Sequence, residues 1–297
     1  NKIKVRITME KICGRIRNLD IENRTFEIVK RKKVEFFYLT RSQMKKFKAY
    51  LQDDLLVELE YKNELIKRGN IKAYDVIGFT KLIAMTKLKR IVYFDMDTIK
   101  RGVQKVLNRE GYKLFIDLEF TMPPYDYAGG TYPSEIVQYG FILEDNDGQI
   151  VYEDSSLVSV DDKNGINNRT LDFLNRKKED FKNAATPKQF YKALKNCLEK
   201  YNPIIMVWGK NDISMLDSFY ERNNLPQLTT RASFINLMQL IKNYYGLKHD
   251  IGLFNALSYF QDDIKLFQEH DALADALVTS MVYHYFKEYA NKQQKTH

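Results

Sequence analysis

The sequence contains few of the residues that build disulfide-stapled or zinc-clipped proteins. It has 2 cysteines, 4 histidines and 6 prolines in 297 residues. Cys13 and Cys197 stand far apart, without a CxxC pattern or a Cys/His cluster, which excludes a disulfide framework and a zinc-finger type of site. No run of 18 apolar residues and no charged-then-apolar leader pattern is present. We therefore expect a soluble cytoplasmic protein with no membrane partner.

Charge is distributed unevenly along the chain, although the net charge is only +8. Residues 1–110 contain 27 Lys+Arg against 14 Asp+Glu, whereas residues 111–297 contain 20 against 25. A basic segment joined to a mildly acidic one is typical of a chain in which one part holds a polyanion and the other holds metal. Solubility charge on a lysine-rich composition explains the same asymmetry, so the charge pattern by itself leaves both explanations open.

Residues 1–90 have the pattern of a small all-β domain. Short apolar and alternating runs predict strands at 13–21, 25–31, 34–40, 55–62 and 71–85, with one helix at 41–51. This order resembles the OB-fold, which binds single-stranded nucleic acid, although a generic small barrel also fits. We predict a basic OB-like nucleic-acid-binding domain whose substrate contacts are Lys30, Arg31, Lys32 and Lys33. Aromatic residues nearby suit either base stacking or core packing: Phe36, Phe37, Tyr38, Tyr74 and Phe79.

Residues 91–110 have helical spacing and are predicted to connect this domain to a second one, 111–297. The second domain is expected to form strands at 114–121, 135–145, 149–160, 204–209 and 232–236. Helices are expected around 187–200, 212–223, 236–245, 253–260 and 271–290. Three consecutive strands followed by alternating helices and strands indicate an α/β fold, a mixed sheet flanked by helices that is compatible with a ribonuclease H-like layer fold.

The stretch FIDLEF places two carboxylates, Asp117 and Glu119, inside an apolar strand. Residues two apart on a strand share one face, so the two carboxylates stand side by side and repel each other. Such a pair either shares protons or binds a cation such as Mg²⁺, Mn²⁺ or Ca²⁺. An edge strand whose alternate residues face water is the alternative.

Three further residues stand where metal chemistry would need them. Asp212 begins a predicted helix directly after a strand and a glycine turn, a position where an aspartate also serves as a helix cap. His270 precedes the last predicted helix and Asp275 lies in its first turn. Taken alone, Asp212 and His270 are better explained by capping or a surface position, and Asp275 has solvent exposure as its alternative.

Together the motifs resemble the DEDD superfamily of 3'-to-5' exonucleases. The D-x-E motif corresponds to Asp117 and Glu119, and the Asp after the fourth strand corresponds to Asp212 in WGKND. The H-x4-D motif corresponds to His270 and Asp275. Position 271 is Asp and not Tyr, so the resemblance is to the histidine subtype (DEDDh). The WGKND form is similar to the exoribonuclease branch of RNA-interference-enhancing and histone-mRNA nucleases.

The resemblance implies a catalytic set and a substrate. Asp117, Glu119, Asp212 and Asp275 are expected to hold two Mg²⁺ or Mn²⁺ ions, with His270 as the general base. Leu118, Phe120 and Met122 are expected to line a terminal nucleotide pocket. The predicted reaction is metal-dependent 3'-to-5' hydrolysis of single-stranded RNA or DNA with a free 3' end, RNA being favoured, with release of nucleoside 5'-monophosphates. The alternatives are a proofreading-type DNA exonuclease and a non-catalytic nucleic-acid-binding regulator on the same scaffold.

Overall fold

The computed structural model describes residues 8–86, 88–161, 165–261 and 270–295. The chain divides into two compact units, residues 1–101 and residues 102–297. Among the described residues, no helix has both the length and the apolar character that a membrane span requires.

The first unit is built on a seven-stranded sheet. Its strands are β1 (Met9–Arg15), β2 (Arg17–Asp20), β3 (Thr25–Lys30), β4 (Lys33–Tyr38), β5 (Leu56–Arg68), β6 (Ile71–Met85) and β7 (Arg90–Asp95), and its first helix is α1 (Arg41–Phe47). Pairing runs in the order β1-β5-β6-β4-β3-β2, and β7 pairs with the C-terminal part of β6, outside this order. All of these pairs are antiparallel except β4 with β6, which is parallel.

This strand order returns to its starting point, because β1 and β2 are separated only by the fully buried Ile16. A Cβ atom at Gly14 would lie 2.3 Å from the Ile28 side chain, so the missing side chain allows β1 to pass closely over β3. The interior is apolar and includes Phe26, Phe37 and Phe79. The strand arrangement is compatible with the OB-like barrel that the sequence suggests, and that assignment stays a prediction.

Helix α1 is fixed at its start by reciprocal hydrogen bonds between Thr40 and Gln43. The Gln43 backbone N–H donates to Thr40 Oγ1 at 3.3 Å, and the Thr40 backbone N–H donates to Gln43 Oε1 at 2.8 Å. The Gln43 amide then donates to the carbonyls of Val76 and Ile77 on β6. One buried side chain therefore both caps the helix and fixes it to the sheet.

The segment predicted to be a connecting helix differs from that expectation in its first residues. Residues 90–95 form β7, which pairs with β6, and the helix α2 spans Met96–Leu107. The short apolar run Ile91–Phe94 pairs with β6 and packs Ile91 and Phe94 on the core of the first unit, which favours a strand. The division between the units falls inside α2, after Arg101.

The second unit contains a five-stranded mixed sheet flanked by helices, which confirms the predicted fold class. Its strands are β8 (Lys113–Phe120), β9 (Ile136–Glu144), β10 (Ile150–Leu157), β11 (Ile204–Val207) and β12 (Phe234–Asn236), in the order β10-β9-β8-β11-β12. Strands β8, β9 and β10 pair in antiparallel fashion, whereas β8, β11 and β12 are parallel.

The helices of this unit are α3 (Asn168–Leu174), α4 (Pro187–Tyr201), α5 (Asn211–Arg222), α6 (Leu237–Tyr245), α7 (Leu253–Phe260) and α8 (Ala272–Lys295). The sheet has an apolar core on each face because neighbouring residues of β8 point in opposite directions. Phe115 packs with α6, α7 and α8, whereas Ile116 packs with α4 and α5. Helix α3 was not predicted from the sequence. It begins with an Asn167 cap and ends at Asn175 in the left-handed conformation.

Candidate active site

Strand β8 positions the first two acidic residues of the site. Asp117 lies opposite Gly140 and Glu119 lies opposite Gln138 in the antiparallel register with β9. Glu119 is buried and Asp117 is partly buried. The predicted side-by-side placement on one strand face therefore occurs in the interior of the unit and not at a wetted edge.

Asp212 reaches the same place from the start of α5. The turn between β11 and α5 is tight at Gly209, whose φ of +94° favours glycine. Asp212 Oδ1 accepts a hydrogen bond of 3.1 Å from the backbone N–H of Leu118, between the two β8 acids. The residue is 4% exposed and bonds to a different element, so it is not merely a cap of its own helix.

Helix α8 brings the last acid to the sheet because Gly140 lets it approach the backbone of β9. A Cβ atom at Gly140 would lie 2.2 Å from the carbonyl carbon and oxygen of Ala272, at the first residue of α8. Gly140 is also the register partner of Asp117. The close approach therefore places the first turn of α8, with the buried Asp275, beside the two β8 acids.

His270 lies just before α8 with a φ of +51°, an uncommon conformation for a residue with a side chain. Its Nδ1 atom lies 4.0 Å from Glu119 Oε1. The ring of Phe173, from α3, lies against the imidazole with ring centroids 3.9 Å apart and an interplanar angle of 31°. The imidazole is thus held between an aromatic ring and a carboxylate.

Asp271 fixes the backbone next to His270. Its carboxylate accepts hydrogen bonds of 2.8 Å from Gln138 and Arg176 and one of 3.1 Å from the backbone N–H of Ala274. Burial raises the pKa of Asp271, but the hydrogen bonds from Gln138 and Ala274 and the charge of Arg176 outweigh it, so the net pKa is below the ordinary value. This carboxylate is ionised and bonded to its neighbours.

The pKa values of three acids in the cleft are shifted in the opposite direction to that of Asp271, upward. Burial, with repulsion from Asp212 and Glu119, raises the pKa of Asp117 well above its ordinary value. Burial and the charges of Asp275 and Asp212 raise the pKa of Glu119 to about 8. Burial also raises the pKa of Asp212 to about 7, against the lowering effect of its backbone hydrogen bonds. Anionic groups crowded in this way are stabilised in their ionised form by a nearby cation.

The donor set fits a divalent cation. Glu119, His270 and Asp275 each offer one ligand atom, and these atoms lie within 4.8 Å of one another. Carboxylate oxygens are the ligands that Mg²⁺ and Mn²⁺ prefer, whereas an imidazole nitrogen is a ligand typical of other transition metals. Among the described residues, the group of ligand atoms that could hold an ion therefore includes His270, to which the family resemblance assigns proton transfer.

The five residues line one cleft of about 420 Å³, together with Leu118, Phe120 and Met122. The structure therefore brings together all eight residues predicted for the catalytic centre and the terminal nucleotide pocket. A larger hollow of about 1290 Å³ beside α6, α7 and α8 contains none of the five. The acidic residues and the histidine predicted for catalysis thus line the cleft and not the larger hollow.

Several residues that line the cleft were not predicted from the sequence. Phe173, Asn211, Thr121, Pro123 and Ser134 also line it, as does Trp208 of the WGKND motif. Trp208 Nε1 donates a 3.1 Å hydrogen bond to the carbonyl of Ile251, which fixes the indole at the edge of the cleft. The apolar spacing within NRTLDFL was the only sequence signal for Phe173, and it indicates a short helix without indicating what the helix faces.

The predicted contacts Lys30, Arg31, Lys32 and Lys33 belong to the other unit. They form the exposed turn of the β3–β4 hairpin, with Arg31 and Lys32 in left-handed conformations, and they are not among the residues that line the cleft. Phe37 and Phe79 are core residues and not exposed stacking surfaces. Tyr38 is covered by the guanidinium groups of Arg24 and Arg68, at 5.3 and 4.6 Å from its ring centroid.

The family comparison agrees with this geometry. The RNase_T family model, described as Exonuclease, matches residues 114–283, which is more than half of the chain and includes all five predicted catalytic residues. The chain belongs to this exonuclease family. The predicted membership of an exonuclease family is confirmed. No curated protein sequence shows a significant match to the chain.

Solved structures share the fold of this family member. A 3'-exonuclease solved for 3'-end-specific recognition of a histone mRNA stem-loop matches with a TM-score of 0.52 and 14% identity, over 60% of this chain and 64% of that chain. The match thus spans less than two thirds of that protein. The nuclease domain of 3'hExo, a DEDDh family member bound to rAMP, gives 0.51 and 15%, over 60% and 93%. Cell-death related nuclease 4 gives 0.50 and 17%, over 62% and 64%.

Proposed function

We propose that this exonuclease-family protein removes nucleotides from the 3' end of single-stranded nucleic acid, RNA in preference to DNA, and releases nucleoside 5'-monophosphates. The observation that carries the proposal is the convergence of Asp117, Glu119, Asp212, His270 and Asp275 on one cleft. The preference for RNA is supported by two similar folds, one solved for recognition of a histone mRNA stem-loop and one bound to rAMP.

Asp117, Glu119, Asp212 and Asp275 would hold two divalent cations, Mg²⁺ or Mn²⁺. Bound cations of this kind neutralise the phosphate, make a water molecule more acidic and stabilise a leaving oxygen. The raised pKa values of Asp117, Glu119 and Asp212 support this assignment, because these groups need positive charge nearby to be ionised at neutral pH. Asp271 is not a member of this set, since its carboxylate already bonds to Gln138 and Arg176.

His270 would accept the proton of the attacking water. Burial lowers the pKa of His270 below 6.5, so the imidazole is neutral at pH 7 and has a free lone pair. As the water oxygen bonds to phosphorus, the proton moves to the imidazole and the bond to the 3' oxygen of the preceding nucleotide breaks. The ring of Phe173 keeps the imidazole in place during this transfer.

Leu118, Phe120 and Met122 would hold the terminal nucleotide next to these groups. All three line the cleft, and the Leu118 backbone also donates to Asp212. A base or ribose placed against them would bring the terminal phosphodiester to the acidic residues. The basic hairpin turn Lys30–Lys33 would contact phosphates of the strand by charge alone.

Digestion of matched oligonucleotides tests the proposal. RNA and DNA strands with a free or a blocked 3' end are incubated with the full chain in Mg²⁺, in Mn²⁺ or in chelator, and products are separated by chromatography. We expect nucleoside 5'-monophosphates from unblocked strands only, with metal only, and faster release from RNA. Equal cleavage of blocked strands would contradict the 3' end requirement, and equal rates on DNA would favour a DNA exonuclease.

A further inference from the structure

Two tyrosines of the first unit lie side by side at its surface. Tyr50, just after α1, and Tyr93, on β7, have ring centroids 5.3 Å apart and an interplanar angle of 34°. They are 43% and 38% exposed, whereas Phe47 of α1 is 6% exposed. Two neighbouring rings that both retain this much solvent contact offer an aromatic surface that the described residues leave exposed.

The backbone directs both rings outward. The pairing of β6 with β7 shifts register, so that Phe94 lies opposite Leu82, Val92 lies opposite Ile83, and Tyr93 is the extra residue between them. An extra residue of this kind forms a bulge, which redirects a side chain out of the sheet. The backbone N–H of Tyr50 donates a 2.8 Å hydrogen bond to the Phe47 carbonyl, which fixes the other ring at the end of α1.

Residues close to the two tyrosines in the sequence belong to a packed aromatic cluster. The ring of Phe47 packs edge-on against Phe79 and Phe94, with centroid separations of 5.1 and 5.4 Å. The ammonium group of Lys46 lies 5.1 Å from the centroid of Phe47 and 5.5 Å from that of Phe94. These contacts hold the end of α1 and the adjoining part of β7 in place, which limits the ordering cost of binding a ligand at the neighbouring tyrosines.

The surroundings of the pair are basic. Helix α1 and the residue after it carry Arg41, Lys45, Lys46 and Lys48, all exposed, and contain no acidic residue. The nearby acids are already engaged: Asp54 with Arg15, Asp97 with Lys81, and Asp53 with the backbone of Leu19. Among the described residues, Arg41, Lys45 and Lys48 form no ion pair, so their charge is available to an external anion.

We infer that Tyr50 and Tyr93 form a base-stacking site for single-stranded nucleic acid, whose phosphates contact the cations of α1. Unpaired bases expose the faces that such rings bind, and the attached phosphates match the positive rim, whereas a duplex keeps its base faces covered. The site is distinct from the Lys30–Lys33 turn and from the cleft. It deepens the proposed function, on which it rests for its ligand class, by giving the first unit a means of holding bases.

Equilibrium binding in chelator tests the site without hydrolysis. The probes are a fluorescein-labelled adenosine 12-mer RNA and an abasic strand with the same number of phosphates, measured by anisotropy with the full chain. The variants are Tyr50→Ala/Tyr93→Ala, the matched Tyr50→Phe/Tyr93→Phe, and Leu88→Ala as a control at a neighbouring residue that is 97% exposed. We expect the alanine pair to bind the 12-mer about 10- to 100-fold more weakly, with abasic binding and the other two variants unchanged.

The outcomes separate the possible failures. Unchanged 12-mer binding by the alanine pair overturns the inference, and so does an equal loss for the abasic strand, because that loss reports charge or folding and not stacking. Equal competition by a blunt RNA duplex also overturns it. The melting temperature of each variant verifies that it is folded. Failure of the proposed function would be seen in a different measurement, because the wild-type chain would then hydrolyse no oligonucleotide in Mn²⁺. The binding measurement in chelator could still be interpreted.

Discussion

The acidic residues of the two units have contrasting electrostatic surroundings. In the first unit, the acids that form ion pairs do so at the surface, as between Arg15 and Asp54 and between Arg68 and Asp75. In the second unit, Asp117, Glu119 and Asp212 lie in a cleft and repel one another, and the pKa of each is raised. One unit therefore leaves positive charge for an external anion, and the other concentrates negative charge that needs cations. Under the proposed function, a strand of nucleic acid and divalent cations would supply both.

The largest effect is expected from Asp117→Ala. Because this carboxylate lies at the centre of the acidic group, its loss should reduce single-turnover hydrolysis of a labelled 12-mer by about 1,000-fold or more. Binding through the first unit should persist, which would show that the two units act separately. Asp147→Ala, at an exposed acid of the same unit, is the matched control. If folded Asp117→Ala retained nearly wild-type turnover, the cleft would not be the active site.

His270→Gln is expected to reduce turnover by about 100- to 1,000-fold, with less change in KM, because glutamine retains polarity but cannot accept the proton at neutral pH. In the wild type, burial lowers the pKa of His270, so turnover should rise with pH through a value below 6.5 and then level off. The variant should lose that rise. His249→Gln, at an exposed histidine outside the cleft, provides the comparison. An unchanged pH profile in His270→Gln contradicts the assignment of the base.

The positive charge of the first unit is tested by replacing four residues with glutamine, namely Lys30, Arg31, Lys32 and Lys33. We expect KM for a 12-mer to rise about 10-fold at low salt, with kcat unchanged, because these residues contact phosphates and not the reacting bond. The logarithm of affinity should also depend less steeply on the logarithm of salt concentration. An identical salt slope in the variant would show that the hairpin turn does not contact the strand.

The smallest effect is expected in the thermal stability of the metal-free protein. The folded pKa values of Glu119 and Asp212, about 8 and about 7, lie above those of ordinary carboxyl groups. The folded state therefore binds more protons than the unfolded state between about pH 4.5 and 8. The stabilisation that comes from this proton binding is fully present below that range and is lost as pH rises through it.

In chelator, the melting temperature should fall by about 5 °C or more between pH 5 and pH 8, and Mn²⁺ should reverse the fall. Glu119→Gln should flatten the pH dependence, since glutamine has no charge to bury. A melting temperature that rises over this interval in chelator, in parallel for wild type and Glu119→Gln, is the contrary result. Calorimetry of both proteins at several pH values makes the measurement.

Much of the site could be predicted because strand periodicity is local. Alternation along FIDLEF is enough to place Asp117 and Glu119 on one face, and the ordered motifs identify the other acids and His270. The close approach at Gly140 could not be predicted, because it depends on a helix that begins 132 residues later. The contact of Phe173 with His270 is also long-range, and neither residue indicates the other in the sequence.

Secondary structure was most predictable where patterns were long. The strand Ile71–Met85 and the helix Leu253–Phe260 begin and end where the sequence places them. The strand Arg90–Asp95 was not predicted from the sequence. A short run of this kind next to a helical pattern fits either a strand or a helix, and only its pairing partner decides between them. The register shift that exposes Tyr93 depends on that same pairing.

The contact between Gly140 and Ala272 joins parts of the chain that are synthesised at different times. A ribosome that has just completed β9 has produced Asp117 and Glu119, but His270 and Asp275 have not yet been translated. The cleft cannot be assembled until α8 has emerged and docked on the sheet. A partial chain that ends before His270 therefore lacks two of the five predicted catalytic residues that line the cleft.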